Sequence, residues 1–196
     1  QDGTKIVSGS ADKTIRIWDT KTGTLINTLA GHGDHVYCVT ISQDGTKIVS
    51  GSADKTIRIW DTKTGGLINT LEGHGGRVYS LAISLDGTKI VSGSGDKTVR
   101  IWDMKTGSLI NTLEGHGDYV RGVAMSKDGK KIVSGSLDNS LKVWDAETGR
   151  LIWTTNPRLY CKGVRIDGVT GLSDINRLLL VQRGAVDGSL QGDTGG

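Results

Sequence analysis

The sequence predicts an all-β fold made by stacking one four-stranded unit four times, and three observations carry that prediction. Trp18, Trp60, Trp102 and Trp144 recur every 42 residues, each inside Ile/Val-Trp-Asp. A period of this length is one supersecondary unit copied several times. The apolar runs inside each unit are short and bounded by turn signals, which reads as strands. Finally, the chain has 30 glycines. Most recur at fixed positions such as Asp44-Gly45, Ser50-Gly51-Ser52, Thr64-Gly65 and Gly73-His74, where tight turns need glycine's positive φ.

The units run Gln1–Ser42, Gln43–Ser84, Leu85–Ser126 and Lys127–Gly168, without gaps. The first two differ only at Thr24/Gly66, Ala30/Glu72, Asp34/Gly76, His35/Arg77, Cys38/Ser80, Val39/Leu81 and Thr40/Ala82. That similarity fits duplication of a unit that already worked. In the second blade the first strand covers Val36–Ser42 and Gln43-Asp44-Gly45 turns the chain. The second strand covers Lys47–Ser52 and turns at Ala53-Asp54-Lys55. The third is Thr56–Trp60, followed by Asp61-Thr62-Lys63-Thr64-Gly65. The fourth is Leu67–Leu71, ending at Glu72-Gly73-His74. Asp-Gly between apolar runs is a strong hairpin signal. Lys-Ile-Val-Ser-Gly-Ser does not alternate cleanly, so both faces of the sheet meet another sheet, as they do in a radial stack.

The order Gly-His, Asp-Gly, Ser-Gly-Ser-x-Asp, Trp-Asp, repeated from about Asp2 to Thr155, resembles the WD40 repeat of β-propellers. The resemblance implies WD40-type blades and, in each, a buried hydrogen-bonded tetrad. Those tetrads would be His32, Ser50, Asp54 and Trp60; His74, Ser92, Asp96 and Trp102; and His116, Ser134, Asp138 and Trp144. Either serine of each Ser-Gly-Ser can supply the hydroxyl. The first unit has Ser8, Asp12 and Trp18 without a histidine, its inner strand lying upstream of Gln1. An indole N–H and a buried carboxylate both need partners, and an Asp–His–Ser chain provides them.

The same residue types make a catalytic triad, but a set repeated at the structural period and tied to a tryptophan reads as structural. A metal needs its ligands within about 2 Å of one ion. His32, His74 and His116 sit on successive blades, so no metal or other cofactor is expected. Each Asp-Gly-Thr-Lys lacks Walker spacing and a following helix. The chain is therefore not expected to be an enzyme.

The copies disagree most just after Gly-His, at Asp34-His35-Val36-Tyr37, Gly76-Arg77-Val78-Tyr79 and Asp118-Tyr119-Val120-Arg121. A second variable column is Ala11, Ala53, Gly95 and Leu137. The WD40 resemblance places both columns on the top face near a central channel, where partners bind. The candidate partner-binding residues are His35, Tyr37, Arg77, Tyr79, Tyr119, Arg121 and Leu137, rich in types that dominate interfaces.

A net charge of +3, with both signs interspersed, argues against nucleic acid. No apolar stretch approaches the length of a membrane-spanning helix, and no secretory signal opens the chain. Cys38 and Cys161 make no disulfide framework, which suits a cytoplasmic setting. Residues 1–155 are read as four blades, the first lacking its inner strand, and 156–186 as a tail. In the tail Leu159–Ile166 is strand-like and placed to supply a missing inner strand, within the chain or to another copy. Ser173-Asp174-Ile175 opens a short C-terminal helix with an apolar stripe of Leu172, Ile175, Leu178 and Leu179, ended by Arg183-Gly184. Residues 187–196 are read as disordered. The expected function is a protein-interaction scaffold binding a protein or peptide, as a fragment of a larger ring or as a homodimer forming an eight-bladed ring. A ligand-sensing array of a larger signalling NTPase, a channel enzyme and a purely structural spacer are the alternatives.

Overall fold

The computed structural model describes residues 3–155, and among them the secondary structure is strand only. The first sheet has three strands, β1 (Lys5–Gly9), β2 (Thr14–Asp19) and β3 (Leu25–Ala30). The second orders β4 (Val36–Ile41), β5 (Lys47–Ser52), β6 (Ile57–Asp61) and β7 (Leu67–Leu71). The third has β8 (Val78–Ile83), β9 (Lys89–Ser94), β10 (Val99–Asp103) and β11 (Leu109–Leu113). The fourth has β12 (Val120–Met125), β13 (Lys131–Ser136), β14 (Leu141–Asp145) and β15 (Leu151–Thr154). All pairings are antiparallel. Cys161, the strand-like Leu159–Ile166, the expected C-terminal helix and the Gly-rich end lie outside the described residues.

Small differences from the expected boundaries have local causes. Ser42 leaves β4 because its hydroxyl turns to Asp44 Oδ1 at 2.5 Å and accepts the Lys47 N–H. Thr56 stays out of β6 because Asp54 Oδ1 takes both its N–H and its hydroxyl. Asp61 joins β6 by pairing with Lys47.

The core lies between sheets. Ile15, Ile17 and Leu29 of the first sheet meet Val36, Ile48 and Trp60 of the second. Val49, Ile57, Ile59 and Leu71 then meet Val78, Ile90 and Trp102. The third layer sets Val91, Val99, Ile101 and Leu113 against Val120, Ile132 and Trp144. The alternating side chains of one strand thus serve two layers, Ile48 packing backwards and Val49 forwards. The strands β4, β8 and β12 contact one another in succession. Gly51 faces Val78 so closely that an added Cβ would lie 2.6 Å from its Cγ1. This explains a glycine inside an apolar strand.

The two ends of the stack expose what the interior covers. Ile6 is 54% exposed, whereas its counterparts Ile48, Ile90 and Ile132 are fully buried against the preceding sheet. Val133 is 40% exposed, whereas Val49 and Val91 are fully buried against the following one.

The second turn of every unit carries a non-glycine residue in the left-handed region, at Lys13, Lys55, Lys97 and Asn139, with φ of 71°, 71°, 70° and 65°. The turn closes through Lys55 N–H to Ser52 O and Ser52 N–H to Thr56 O, both at 3.2 Å. Asparagine tolerates this conformation better than lysine. Replacing Lys13, Lys55 and Lys97 with asparagine, as the fourth unit already has, should recover part of the roughly 1–2 kcal/mol that each left-handed residue costs. Circular dichroism should show a melting temperature raised by several degrees. An unchanged or lower value would show that lysine carries no strain there.

Candidate functional site

Each of the last three sheets contains one chain of four side chains. In the second, Trp60 Nε1–H donates to Ser50 Oγ at 2.8 Å. His32 Nε2 meets the same oxygen at 2.8 Å and His32 Nδ1 meets Asp54 Oδ2 at 2.8 Å. An ionised carboxylate only accepts, so Nδ1 carries the proton, Nε2 accepts from the serine hydroxyl, and the hydroxyl oxygen accepts from the indole. Every donor is used once. In the third sheet His74 lies 2.7 Å from Asp96 and 2.8 Å from Ser92, with Trp102 donating to Ser92 at 2.8 Å. In the fourth the corresponding distances are 3.0 Å for His116–Asp138, 2.7 Å for His116–Ser134 and 2.8 Å for Trp144–Ser134. The first sheet keeps only the Trp18–Ser8 bond at 2.9 Å, and Asp12 pairs with Arg16 at 2.8 Å instead of a histidine.

The first serine of each Ser-Gly-Ser is the tetrad member. The second does a different job: Ser52 Oγ–H donates to Asp34 O and its oxygen accepts the Asp54 N–H. The tetrad is chemically quiet. Ser50 and Ser92 are fully buried, and each hydroxyl oxygen already holds an indole N–H, so none can attack a substrate. Among the described residues, no three His, Cys, Asp or Glu side chains gather where they could hold a metal. Burial pushes His32 and His116 below the ordinary histidine value, against the pull of Asp54 and Asp138. Burial alone would raise Asp54, but bonds from Thr56, Gly33 and His32 hold it down at about 2. Asp96 and Asp138 are held low in the same way.

The tetrads also anchor the turns that carry the variable residues. Gly33 N–H donates to Asp54 Oδ2 at 2.8 Å, and Gly75 and Gly117 repeat the bond. The Ala53 N–H then donates to His35 O, Gly95 N–H to Arg77 O and Leu137 N–H to Tyr119 O, at 2.8, 2.8 and 3.0 Å. The two variable columns, far apart in sequence, are therefore side by side.

Tyr37, Tyr79 and Arg121 each occupy the extra residue of a β-bulge. Val36 pairs with Ser52 but Cys38 with Gly51, and the same shift falls between Val78 and Ser80 and between Val120 and Gly122. A bulge re-aims the side chain it carries. The result is a row along successive sheets. His35 meets Tyr37 at 6.3 Å between ring centroids, Tyr37 meets Tyr79 at 5.2 Å, and Tyr79 meets Tyr119 at 6.0 Å. The Arg121 guanidinium lies 3.9 Å over the Tyr79 ring centroid. Arg77 reaches the Tyr37 hydroxyl at 3.5 Å. Leu137 is exposed beside Tyr119. All seven candidate residues thus lie along one surface, with Tyr79 the most covered. The bulges, and the two glycines Gly76 and Gly95 beneath Arg77 and Tyr79, escaped the sequence reading as site features. The only signal for them is that both glycines stand at variable positions of the same blade.

A family model described as "WD40: WD domain, G-beta repeat" matches residues 1–19, 23–61, 65–103 and 107–145. Over 39 residues the chain is 46% identical to mitogen-activated protein kinase kinase kinase A of Dictyostelium discoideum. That match takes in 20% of this chain and 4% of that protein.

Removing the tetrad carboxylate with Asp96→Ala strands the His74 imidazole and the Gly75 N–H, at a cost of about 1–3 kcal/mol. The melting temperature should fall by several degrees, and a variant melting like wild type would refute the buried network. Stability should also depend on pH. Native His32 and His116 take up protons less readily than in the unfolded chain, so stability is complete above about pH 6.5 and declines as pH drops below it. The low-lying aspartates add a second loss below about pH 4. Thermal melts should therefore give a lower midpoint at pH 5 than at pH 7.5, and a flat profile would contradict the tetrad proton order.

Proposed function

The chain belongs to the WD40 repeat family, and from that premise we propose that it is an interaction scaffold whose protein or peptide partner binds along the row of His35, Tyr37, Tyr79 and Tyr119. Arg77, Arg121 and Leu137 flank the row and complete the surface. The observation that carries this reading is the row of aromatic rings in edge and tilted contact, built where the repeats differ and on backbone bonds they share. Tyrosines in ring contact offer rigid contact area at small entropic cost and keep a polar tip for hydrogen bonding. The relative's name describes a kinase, and a match over so small a part of that protein transfers no activity here.

A second reading is supported by the exposed ends of the stack. The Ile6 face and the Val133 face are the two halves of an interface that the chain forms internally three times. Two copies joined end to end would bury both faces and make an eight-bladed ring.

Two experiments test these readings. The immobilised chain should retain proteins from a cell extract that a Tyr37→Ala/Tyr79→Ala double variant loses by about tenfold or more, while both melt alike. An unchanged set would sink the binding row. Light scattering should return twice the 20.8 kDa chain mass, falling to a single chain for Ile6→Asp or Val133→Asp. A single-chain mass for the wild type would overturn the ring.

A further inference from the structure

We propose that the third blade, with Arg121 of the fourth, carries an anion subsite, formed by Arg77, Tyr79 and Arg121 over the glycine pair Gly76 and Gly95, that takes the carboxylate side chains of an acidic peptide. The inference rests on the row being an interaction surface and names the partner chemistry for its central part.

The third blade departs from its neighbours at residues that touch. It has Gly76 where the second and fourth blades have Asp34 and Asp118, and Gly95 where they have Ala53 and Leu137. A Cβ on Gly76 would lie 2.6 Å from Asp96 N and 2.7 Å from Gly95 C, so the two turns approach through a gap that admits no side chain. A Cβ on Gly95 would lie 3.3 Å from Cε2 of Tyr79. The paired glycines therefore let the turns close together and let the Tyr79 ring rest on them. Arg121 of the next blade stacks over that same ring. It also lies 6.0 Å from the Tyr119 ring centroid.

The charges around this ring favour an anion. Among the described residues the ion pairs are Arg16–Asp12, His35–Asp34 and the three tetrad pairs. None reaches Arg77 or Arg121. Asp34 acts on Arg77 only at longer range, and the acid that other blades place at position 76 is absent. A guanidinium stacked on an aromatic face keeps its N–H edge for a planar acceptor, and a carboxylate fits that edge with two bonds. The flanking tyrosines extend the floor on both sides, which suits a peptide rather than a free small anion.

The test uses the full chain and a fluorescein-labelled peptide of alternating glutamate and glycine, followed by anisotropy. We expect saturable binding that weakens with salt and no binding of the lysine counterpart. Arg77→Ala and Arg121→Ala should each weaken binding about tenfold or more, and Arg150→Ala, exposed elsewhere, should leave it unchanged. Gly95→Leu installs the residue the fourth unit already folds around at Leu137, so it should keep the fold while lifting Tyr79 and Arg121 out of place and weakening the probe. Equal binding of the lysine peptide, or full binding by the Arg77→Ala/Arg121→Ala variant, overturns the subsite. A phosphoserine peptide binding about tenfold better through the same arginines overturns the assignment to carboxylates. Partner capture that needs Tyr37 and Tyr79, with no binding of the acidic probe, overturns the subsite and leaves the interaction reading standing. Loss of both overturns both.

Discussion

The rest of the structure depends on where a buried indole N–H finds its acceptor. Trp60, Trp102 and Trp144 sit almost without exposure in the layers between sheets, and an unsatisfied donor there is costly. Each indole is answered by a serine on the adjacent strand, the serine by a histidine, and the histidine by an aspartate in the next turn. The histidine lies upstream of its sheet, on the segment arriving from the previous one: His32 stands between β3 and β4. One network therefore ties the third strand, the second strand, their turn and the incoming chain. It fixes the internal register of a sheet and the route by which the preceding sheet joins it.

The sheets themselves add in a simple way. The same apolar set recurs in each of the three layers, so stability is a sum of like units and like interfaces, as in other stacked repeats. The cost of this economy appears at the ends. A strand that serves two layers has no polar face to present when one neighbour is missing, and Ile6 and Val133 show this directly. The unclear alternation of Lys-Ile-Val-Ser-Gly-Ser is the sequence trace of the same fact.

The fold was legible because its signals are local and repeated: tryptophans at one period, Asp-Gly turns, and Gly-His after the last strand of each of the first three sheets. The residue types of the tetrad were legible for the same reason. Which serine takes part was not, because it depends on pairing. Trp60 pairs with Ile48, so Ser50 is the diagonal neighbour within reach and Ser52 lies two residues farther along the same face. The bulges at Tyr37, Tyr79 and Arg121 were illegible because a bulge is a property of two strands, and the sequence of one strand runs through it unmarked. The closeness of Gly76 to Gly95 depends on the meeting of two turns nearly twenty residues apart.

Variation along the row is tolerated because the shared bonds use backbone atoms. His35, Arg77 and Tyr119 contribute their carbonyl oxygens to the same hydrogen bond whatever side chain they carry, and the bulge turns the next variable side chain out of the sheet. A substitution there redecorates the surface without touching the tetrad below. Gly76 and Gly95 are different, because the missing Cβ atoms alter how closely two turns approach. In the third blade the variation has moved from side chain to backbone, and the surface is reshaped rather than redecorated. That change also sits beside two arginines that form no ion pair among the described residues, so the strongest departure in shape and the strongest departure in charge coincide at one ring, Tyr79.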